Sequence, residues 1–110
     1  MSKSDFVFLN HILDAITQIE IYTAGLSYRQ FTEDRLVQDG VVRQLEIIGE
    51  AVRSLSDEFR AEHPSMPWHH IVGLRNRLIH AYFDINLGII WDIVQVDLPK
   101  LKAELSDLVS

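Results

Sequence analysis

The sequence predicts an all-α protein built as an up-and-down bundle of four to five helices. Two long stretches carry apolar residues at helical spacing, and neither shows the strict alternation typical of a strand. The first stretch contains Leu9, Ile12, Leu13, Ile16 and Ile19, and the second contains Val41, Leu45, Ile48, Val52, Leu55 and Phe59. With 110 residues and 47% hydrophobic composition, the chain is expected to form a single domain over residues 1–110 around one core.

Capping residues delimit the first two predicted helices. Asp5 is expected to cap a first helix of roughly 20 residues that ends near Gly25. Thr32, which two acidic residues follow, is expected to start a second long helix that runs to about Arg60. Gly40 lies inside this helix, where glycine costs ~1 kcal/mol relative to alanine. It therefore either kinks the helix or admits a close neighbour.

Prolines and polar caps delimit the third and fourth helices. Two prolines mark the next turn, and the second of them, Pro67, suits the first turn of a third helix that stops near Ala81. Asp84 or Asn86 then caps a fourth helix that continues through Trp91.

An apolar seam predicts the last helix. Its residues follow at steps of four and three, as in a helix packed along a partner: Val94, Leu98, Leu101, Leu105 and Leu108. Pro99 marks either the start of this helix or a bend. Trp68 and Trp91 are expected to anchor the core, because they lie in helices of amphipathic pattern.

Composition limits the possible functions. The formal charge of −6 argues against coating a nucleic acid along its length but leaves room for a small cationic site. The absence of cysteine excludes disulfides and thiolate metal sites. Because the chain has neither a long apolar run nor a secretory signal pattern, a cytoplasmic location is expected.

The predicted third helix combines two arginines, a histidine and a tyrosine: Arg75, Arg77, His80 and Tyr82. No acidic residue occurs in positions 63–83, although the whole chain has 16 acidic residues against 10 Lys and Arg. The basic groups are therefore not neutralised by sequence neighbours. This pattern predicts an anion site, and a phosphate is the natural ligand.

The spacing of these residues leaves two interpretations open. Arg75 and His80 stand five residues apart, about 140° around an ideal helix, so they converge only on a large group such as a phosphate. Asn76 stands one turn before His80 and could fix its tautomer for proton transfer by a hydrogen bond. Alternatively, His80 caps the last carbonyls of the helix and the arginines pair with carboxylates of other helices.

Metal and cofactor sites are not expected. His69 and His70 are adjacent, so their side chains point about 100° apart and cannot readily chelate one ion. The chain has no zinc or di-iron sequence pattern, and its scattered glycines form no phosphate-binding loop.

The sequence leaves two interpretations for a pair of glutamates. Glu46 and Glu50 lie one turn apart on the predicted second helix. They either form a solvated or arginine-paired face, or supply a countercharge for Arg75 or Arg77 across the bundle.

The charged stretch resembles the signature of HepT-like toxins of the HEPN superfamily, which is an arginine, four to six residues and then His-x-Tyr. Arg75, the four residues after it, His80 and Tyr82 match this signature without a gap. Further segments resemble the family in the same order along the chain: 47–51, 64–68 and 91–101.

The resemblance implies a homodimer with its two motifs facing one cleft, and the metal-independent RNase activity of a toxin in a type II/VII-like toxin–antitoxin pair. Arg75 and His80 would then be catalytic, and we assign Asn76 and Arg77 to binding or orienting the RNA phosphate. The implied partner is a minimal nucleotidyltransferase antitoxin that adenylylates Tyr82.

A second function remains open at this stage. The chain could be a non-catalytic helical interaction module that binds a nucleotidyltransferase partner without turnover. The intact Arg75, His80 and Tyr82 favour the ribonuclease.

Overall fold

Helices form the regular structure throughout the described part of the chain. The computed structural model describes residues 1–80 and 86–109, apart from the side chains of 77–80. The helices are α1 Lys3–Thr23, α2 Tyr28–Glu33, α3 Arg35–Ser54, α4 Asp57–Glu62, α5 Trp68–His80, α6 Leu87–Asp92 and α7 Leu98–Val109, with a π-helical turn at Ile93–Asp97 between the last two. Helix α1 packs against α3 and α7, and α3 packs against α5. The predicted all-α bundle is confirmed.

The core follows the predicted apolar stripes. Most of the residues that set the helical periodicity are buried: Leu9, Ile12, Ile16, Ile19, Val41, Leu45, Ile48, Val52, Leu55, Phe59, Leu98, Leu101 and Leu105. Leu13 and Leu108 pack at the edge of this core, as does Trp91, whose ring lies 5.1 Å from that of Phe31. Trp68 is buried and its indole N–H donates to the carbonyls of Arg60 and His63. Both tryptophans therefore serve the core.

The prediction that Asp5 caps the first helix is wrong. Ser2 is the N-cap, and its hydroxyl oxygen accepts a hydrogen bond from the Asp5 amide at 3.0 Å. A serine at this position satisfies one of the free N–H groups of the first turn, which leaves the Asp5 carboxylate available for another partner.

The second predicted helix divides into three helices. Ser27 and Gln30 form a reciprocal capping box that starts α2, seven positions before Asp34 caps α3 through the Val37 amide. Helix α3 ends at Ser54 because the next residue is extended, and Ser56 then caps α4. The expected start at Thr32 and continuous run to Arg60 are thus wrong, since local serine and aspartate caps break the apolar pattern into separate helices.

Asp5 ties the start of α1 to the junction between α3 and α4. Its side chain is only 3% exposed, and the Ser56 amide and hydroxyl donate to its two oxygens at 2.8 and 2.7 Å. Burial by itself raises the pKa of Asp5. The hydrogen bonds from Ser56, a further one with Ser2 and the nearby N-terminal ammonium outweigh burial, so the pKa lies below its ordinary 3.8.

The C-terminal helices match most of the prediction. Pro67 directly precedes α5, and its carbonyl accepts from the Ile71 amide at 3.1 Å. Of the two candidate caps for α6, Asn86 is used, and its side chain accepts from the amides of Gly88 and Ile89. The expected end of α5 at Ala81 and the candidate cap Asp84 lie outside the described residues.

Pro99 marks the start of α7. It is the second residue of that helix and directly follows the π-helical turn and Leu98. A proline has no N–H to donate and its ring crowds the carbonyl four residues earlier, so a widened turn accommodates it where a regular helix could not. Among the helices that the structure describes, none is both long enough and apolar enough to cross a membrane.

Two glycines allow close helix contacts. A β-carbon at Gly40 would lie 3.1 Å from the Tyr22 ring, which confirms that this glycine admits a neighbour. At Gly49 the approach is closer: a β-carbon there would overlap the β-carbon of Arg75 and lie 2.7 Å from its Cγ. Helix α5 therefore crosses α3 with Arg75 directly over Gly49.

Replacing Asp5 by asparagine should lower the free energy of unfolding by about 1–3 kcal/mol at neutral pH, because two hydrogen bonds lose their charged acceptor. The folded pKa lies below 3.8, so the carboxylate stabilises the fold fully above that pH and loses its effect as the pH falls through the folded value. Urea denaturation of both proteins should show the difference shrinking in acid. Asp14→Asn, on an exposed face of α1, is the matched control and should change little. A constant Asp5→Asn difference down to pH 2 would contradict this account.

Alanine substitutions at two glycines of the bundle should have opposite effects. Gly49→Ala should destabilise the protein by about 1–3 kcal/mol, because its methyl group meets Arg75 and the helices must move apart. Gly73→Ala, on α5 where an added β-carbon meets none of the described atoms within 4 Å, should stabilise by about 0.5–1 kcal/mol through helix propensity. Thermal unfolding of the two variants shows whether each substitution raises or lowers the free energy of unfolding. Equal stabilisation at both positions would show that the contact between Gly49 and Arg75 leaves room for a methyl group.

Candidate active site

Arg75 is the motif residue that the structure describes in most detail. Its Nη2 lies 2.6 Å from Oε2 of Glu50 on α3, and its Nη1 donates to Oδ1 of Asn76 at 3.1 Å. The arginine side chain is 18% exposed, whereas that of Glu50 is 58% exposed. The Arg75 Nε is buried and has no hydrogen-bond partner among the described residues. Packing thus holds the stem of Arg75, while the end of its guanidinium remains near solvent.

The Glu50 contact answers one of the questions that the sequence left open. Glu50 pairs with Arg75 across the bundle, as the countercharge interpretation predicted. Glu46 instead lies 3.5 Å from Arg43 in its own helix, which matches the alternative of an arginine-paired face. The two neighbouring glutamates therefore have different roles, because only Glu50 faces the point where α5 crosses α3.

A groove opens beside Arg75 where α1, α3 and α5 meet. Its volume is about 340 Å³, and its lining includes the rings of Phe8 and His11 from α1, Arg43 and Glu46 from α3, and Arg75 from α5. The rings of Phe8 and His11 meet edge to face at 6.0 Å. The groove combines aromatic, cationic and anionic groups, which suits a ligand that is both flat and charged.

The other predicted site residues are described only in part. Asn76 is exposed and its oxygen accepts from Arg75, so Arg75 is the observed partner of this amide. Arg77 and His80 belong to α5, but their side chains are outside the described part, as is the whole of Tyr82. The predicted hydrogen bond between Asn76 and His80 thus remains a prediction.

The adjacent histidines lie at the other end of α5. His69 and His70 are exposed in its first turn and border a separate open cavity with Arg60. Among the side chains of residues 1–76 and 86–109, no group of three or more histidine, aspartate or glutamate residues is arranged to hold a metal ion.

No sequence pattern predicted the groove residues of α1. Phe8 and His11 precede the motif by more than 60 positions and belong to no recognisable pattern. They reach the site only because α1 packs along α3, which in turn packs on α5. Phe8 falls beside the apolar stripe of α1, which is the one signal that could have placed it near the core.

Comparisons with known proteins agree with this architecture. The family model described as "Ribonuclease HepT-like" matches residues 12–108. The chain is 43% identical over 105 residues to "Putative RNase MJ1380" of Methanocaldococcus jannaschii, which covers 94% of the chain and 96% of that protein. It is 37% identical over 108 residues to "Probable ribonuclease HepT" of Thermococcus cleftensis, with 98% of both proteins covered.

A further relative is longer. "Gamma-glutamylcyclotransferase and putative RNase MJ0434" of Methanocaldococcus jannaschii is 42% identical over 105 residues, and the match spans 96% of the chain but only 47% of that protein. The chain therefore spans about half the length of this relative. No solved structure gave a significant match. The family model and the full-length relatives establish that the chain belongs to the HepT-like ribonuclease family of the HEPN superfamily.

Proposed function

We propose that the protein is a cytoplasmic, metal-independent endoribonuclease, the toxin of a type II/VII-like toxin–antitoxin pair, and that residues 1–110 act as one HepT-like domain. The position of Arg75 is the observation that carries the proposal. Its stem is fixed over Gly49, its guanidinium lines an open groove, and His80 follows five residues later on the same helix. Membership of a family described as ribonucleases, and the names of its relatives, support the same activity.

The chemistry needs one base and one fixed cation. His80 takes the proton from a ribose 2′-hydroxyl, and that oxygen attacks the adjacent phosphorus. The bond from phosphorus to the 5′-oxygen breaks, a proton goes to that oxygen, and a 2′,3′-cyclic phosphate remains. Arg75 neutralises the charge that grows on the non-bridging oxygens. No step of this mechanism calls on a metal ion.

Glu50 prepares Arg75 for this role. The ion pair holds the guanidinium at the groove while no phosphate is present, and the exposed carboxylate can swing into water when a phosphate arrives. Because the Glu50 side chain is 58% exposed, water can solvate its carboxylate once it leaves the arginine, which keeps the cost of the exchange low. Asn76 and Arg77 bind or orient the phosphate beside Arg75.

The active species of the proposal is a homodimer. Arg75 and His80 point about 140° apart on one ideal helix, so a second copy of the motif supplies the convergence that one helix lacks. One histidine is then the base and its counterpart in the partner is the acid. No described atom lies within 4 Å of a β-carbon placed at Gly73, so this face of α5 has room for a second chain that tolerates a methyl group but not a bulky charged side chain.

Control of the toxin is assigned to Tyr82 and a minimal nucleotidyltransferase antitoxin. The Tyr82 phenol oxygen attacks the α-phosphorus of ATP, pyrophosphate leaves and a tyrosyl-AMP ester forms. The added phosphodiester brings negative charge near Arg75 and Arg77, and the added purine fills space that RNA needs. These two effects inhibit the ribonuclease without requiring a tight complex.

Purified protein should cleave single-stranded RNA in EDTA, leaving 2′,3′-cyclic phosphate or 3′-phosphate ends. His80→Ala should lower the rate by ~10²–10⁴-fold, because acid–base catalysis is lost, and Arg75→Ala should also lower it by ~10²-fold or more. Arg75→Ala keeps the β-carbon that packs on Gly49, so the fold should survive, which circular dichroism checks.

The controls for this experiment lie on the same helices. His70→Ala removes an exposed histidine of α5, Arg53→Ala removes an exposed arginine of α3, and neither should change the rate. The active parent should sediment with twice the mass of one chain, and Gly73→Glu should reduce both dimer and cleavage. A dependence on added divalent ions would refute the mechanism. A folded, inactive parent that still binds the nucleotidyltransferase would favour the interaction module instead.

Incubation with the nucleotidyltransferase and ATP should raise the mass of the peptide containing Tyr82 by one or more AMP units and silence cleavage. Tyr82→Phe should stay at least partly active and become insensitive to the partner, because it lacks the hydroxyl that accepts AMP. Tyr28→Phe, an exposed tyrosine beside Trp91, is the control and should be silenced like the parent. Full silencing of Tyr82→Phe would assign control to steric binding.

A further inference from the structure

The groove beside Arg75 has the size and lining of a nucleotide subsite. Its volume of about 340 Å³ falls in the range of small-molecule pockets. Arg75 lines one part of it, and two rings of α1 line another. A ligand that places a phosphate at Arg75 therefore has room in the same groove to extend its attached group toward those residues.

The α1 side of the groove offers a surface for stacking. Phe8 packs against the hydrophobic core, which restrains its ring, and His11 meets that ring edge to face at 80°. Ile47 and Ala51 add apolar surface from α3. Flat nucleobases stack on aromatic side chains of this kind in proteins that bind single-stranded RNA.

Glu46 supplies a polar group that can distinguish one base from another. Its side chain is 25% exposed in the groove, and its ion pair with Arg43 is long, at 3.5 Å. Such a contact exceeds an ordinary charge-assisted hydrogen bond, so the carboxylate keeps accepting capacity for a ligand. Glu50, its neighbour, pairs with Arg75 at 2.6 Å in the free protein and, in the proposed mechanism, turns into water when a phosphate arrives, so Glu46 is the carboxylate that stays in the groove.

The chemistry of a carboxylate selects among the four bases. Guanine presents two adjacent donors, N1–H and the N2 amino group, which match the two oxygens of a carboxylate. Adenine and cytosine present one amino group beside an acceptor nitrogen. Uracil presents one N–H between two carbonyl oxygens. The negative charge of a carboxylate repels these two oxygens.

We propose that this groove binds one base of single-stranded RNA next to the cleaved phosphate, with Phe8 and His11 as its stacking side and Glu46 as the residue that selects guanine. The proposal rests on the proposed function, because it takes Arg75 as the group that binds the cleaved phosphate. It adds a sequence preference and assigns roles to residues outside the Arg-x4-His-x-Tyr motif.

Cleavage of a randomised oligoribonucleotide pool tests the selection. Guanine should be enriched over uracil by about fivefold or more at one position flanking the cleaved bond, as expected for a bidentate base contact. Glu46→Gln should bring this ratio close to one, because the amide replaces one acceptor by a donor. Glu33→Gln is the matched control: this glutamate also pairs with an arginine of its own helix, but it does not line the groove.

Phe8→Leu tests the stacking side while keeping apolar bulk. It should lower cleavage of all oligonucleotides by about tenfold and leave the ratio of guanine to uracil unchanged, because stacking tolerates every base. Phe6→Leu, an exposed phenylalanine of the same helix outside the groove, should have no effect. Unchanged cleavage by Phe8→Leu would remove the stacking role.

The outcomes separate this proposal from the ribonuclease assignment. If the parent cleaves RNA without base preference, or Glu46→Gln retains the preference, the subsite is refuted and the ribonuclease stands. If the parent cleaves no RNA, the subsite is tested by binding instead. The backbone amide NMR signals are then followed while guanosine monophosphate or uridine monophosphate is added. Shifts at Phe8 and Ile47 that guanosine monophosphate alone produces, and that Glu46→Gln abolishes, support the subsite; equal or absent shifts overturn it.

Discussion

The candidate site depends on one steric constraint, the close crossing of α3 and α5 at Gly49. Only a residue without a β-carbon lets Arg75 lie directly on α3, and a helix interior otherwise disfavours glycine by ~1 kcal/mol. The contact converts a long, flexible arginine into one whose stem is immobilised by packing. Much of the conformational entropy that a phosphate contact would otherwise cost is thus lost during folding.

The charges around Arg75 determine how firmly its guanidinium is held at the groove. The chain is acidic overall, with a formal charge of −6, so a free cation at the groove would attract carboxylates from its own surface. Glu50 takes that position at 2.6 Å and remains largely exposed. An exposed partner orients the guanidinium without competing strongly, whereas a buried carboxylate would bind it too firmly to admit a phosphate.

Helix α1 contributes both to the stability of the fold and to the groove beside Arg75. Asp5 is buried and accepts two hydrogen bonds from Ser56, which fixes the start of α1 against the end of α3. Phe8 and His11 follow within the next two turns and form one wall of the groove. The hydrogen bonds that join these distant parts of the chain therefore also anchor the helix that carries Phe8 and His11.

The sequence by itself determined the helical class, most of the core and the order of Arg75, Asn76, Arg77 and His80 along α5. These follow from local geometry, because a period of 3.6 residues and the preferences of prolines and caps act within a few positions. Even so, the caps Asp34 and Ser56 divided a helix that the sequence had predicted to be continuous, and the Ser27 cap started the first of its pieces earlier. Competing caps of similar strength are difficult to rank without their tertiary partners.

Only the tertiary structure decided which distant residues meet. The Asp5–Ser56 hydrogen bonds, the choice of Glu50 rather than Glu46 for Arg75, and the arrival of Phe8 at the groove all depend on how helices cross. A shift of one residue in helix register rotates a side chain by about 100°, and no local pattern sets that register between helices. Side-chain packing at contacts such as Gly49 against Arg75 sets it instead, which is why the motif was readable in the sequence and its surroundings were not.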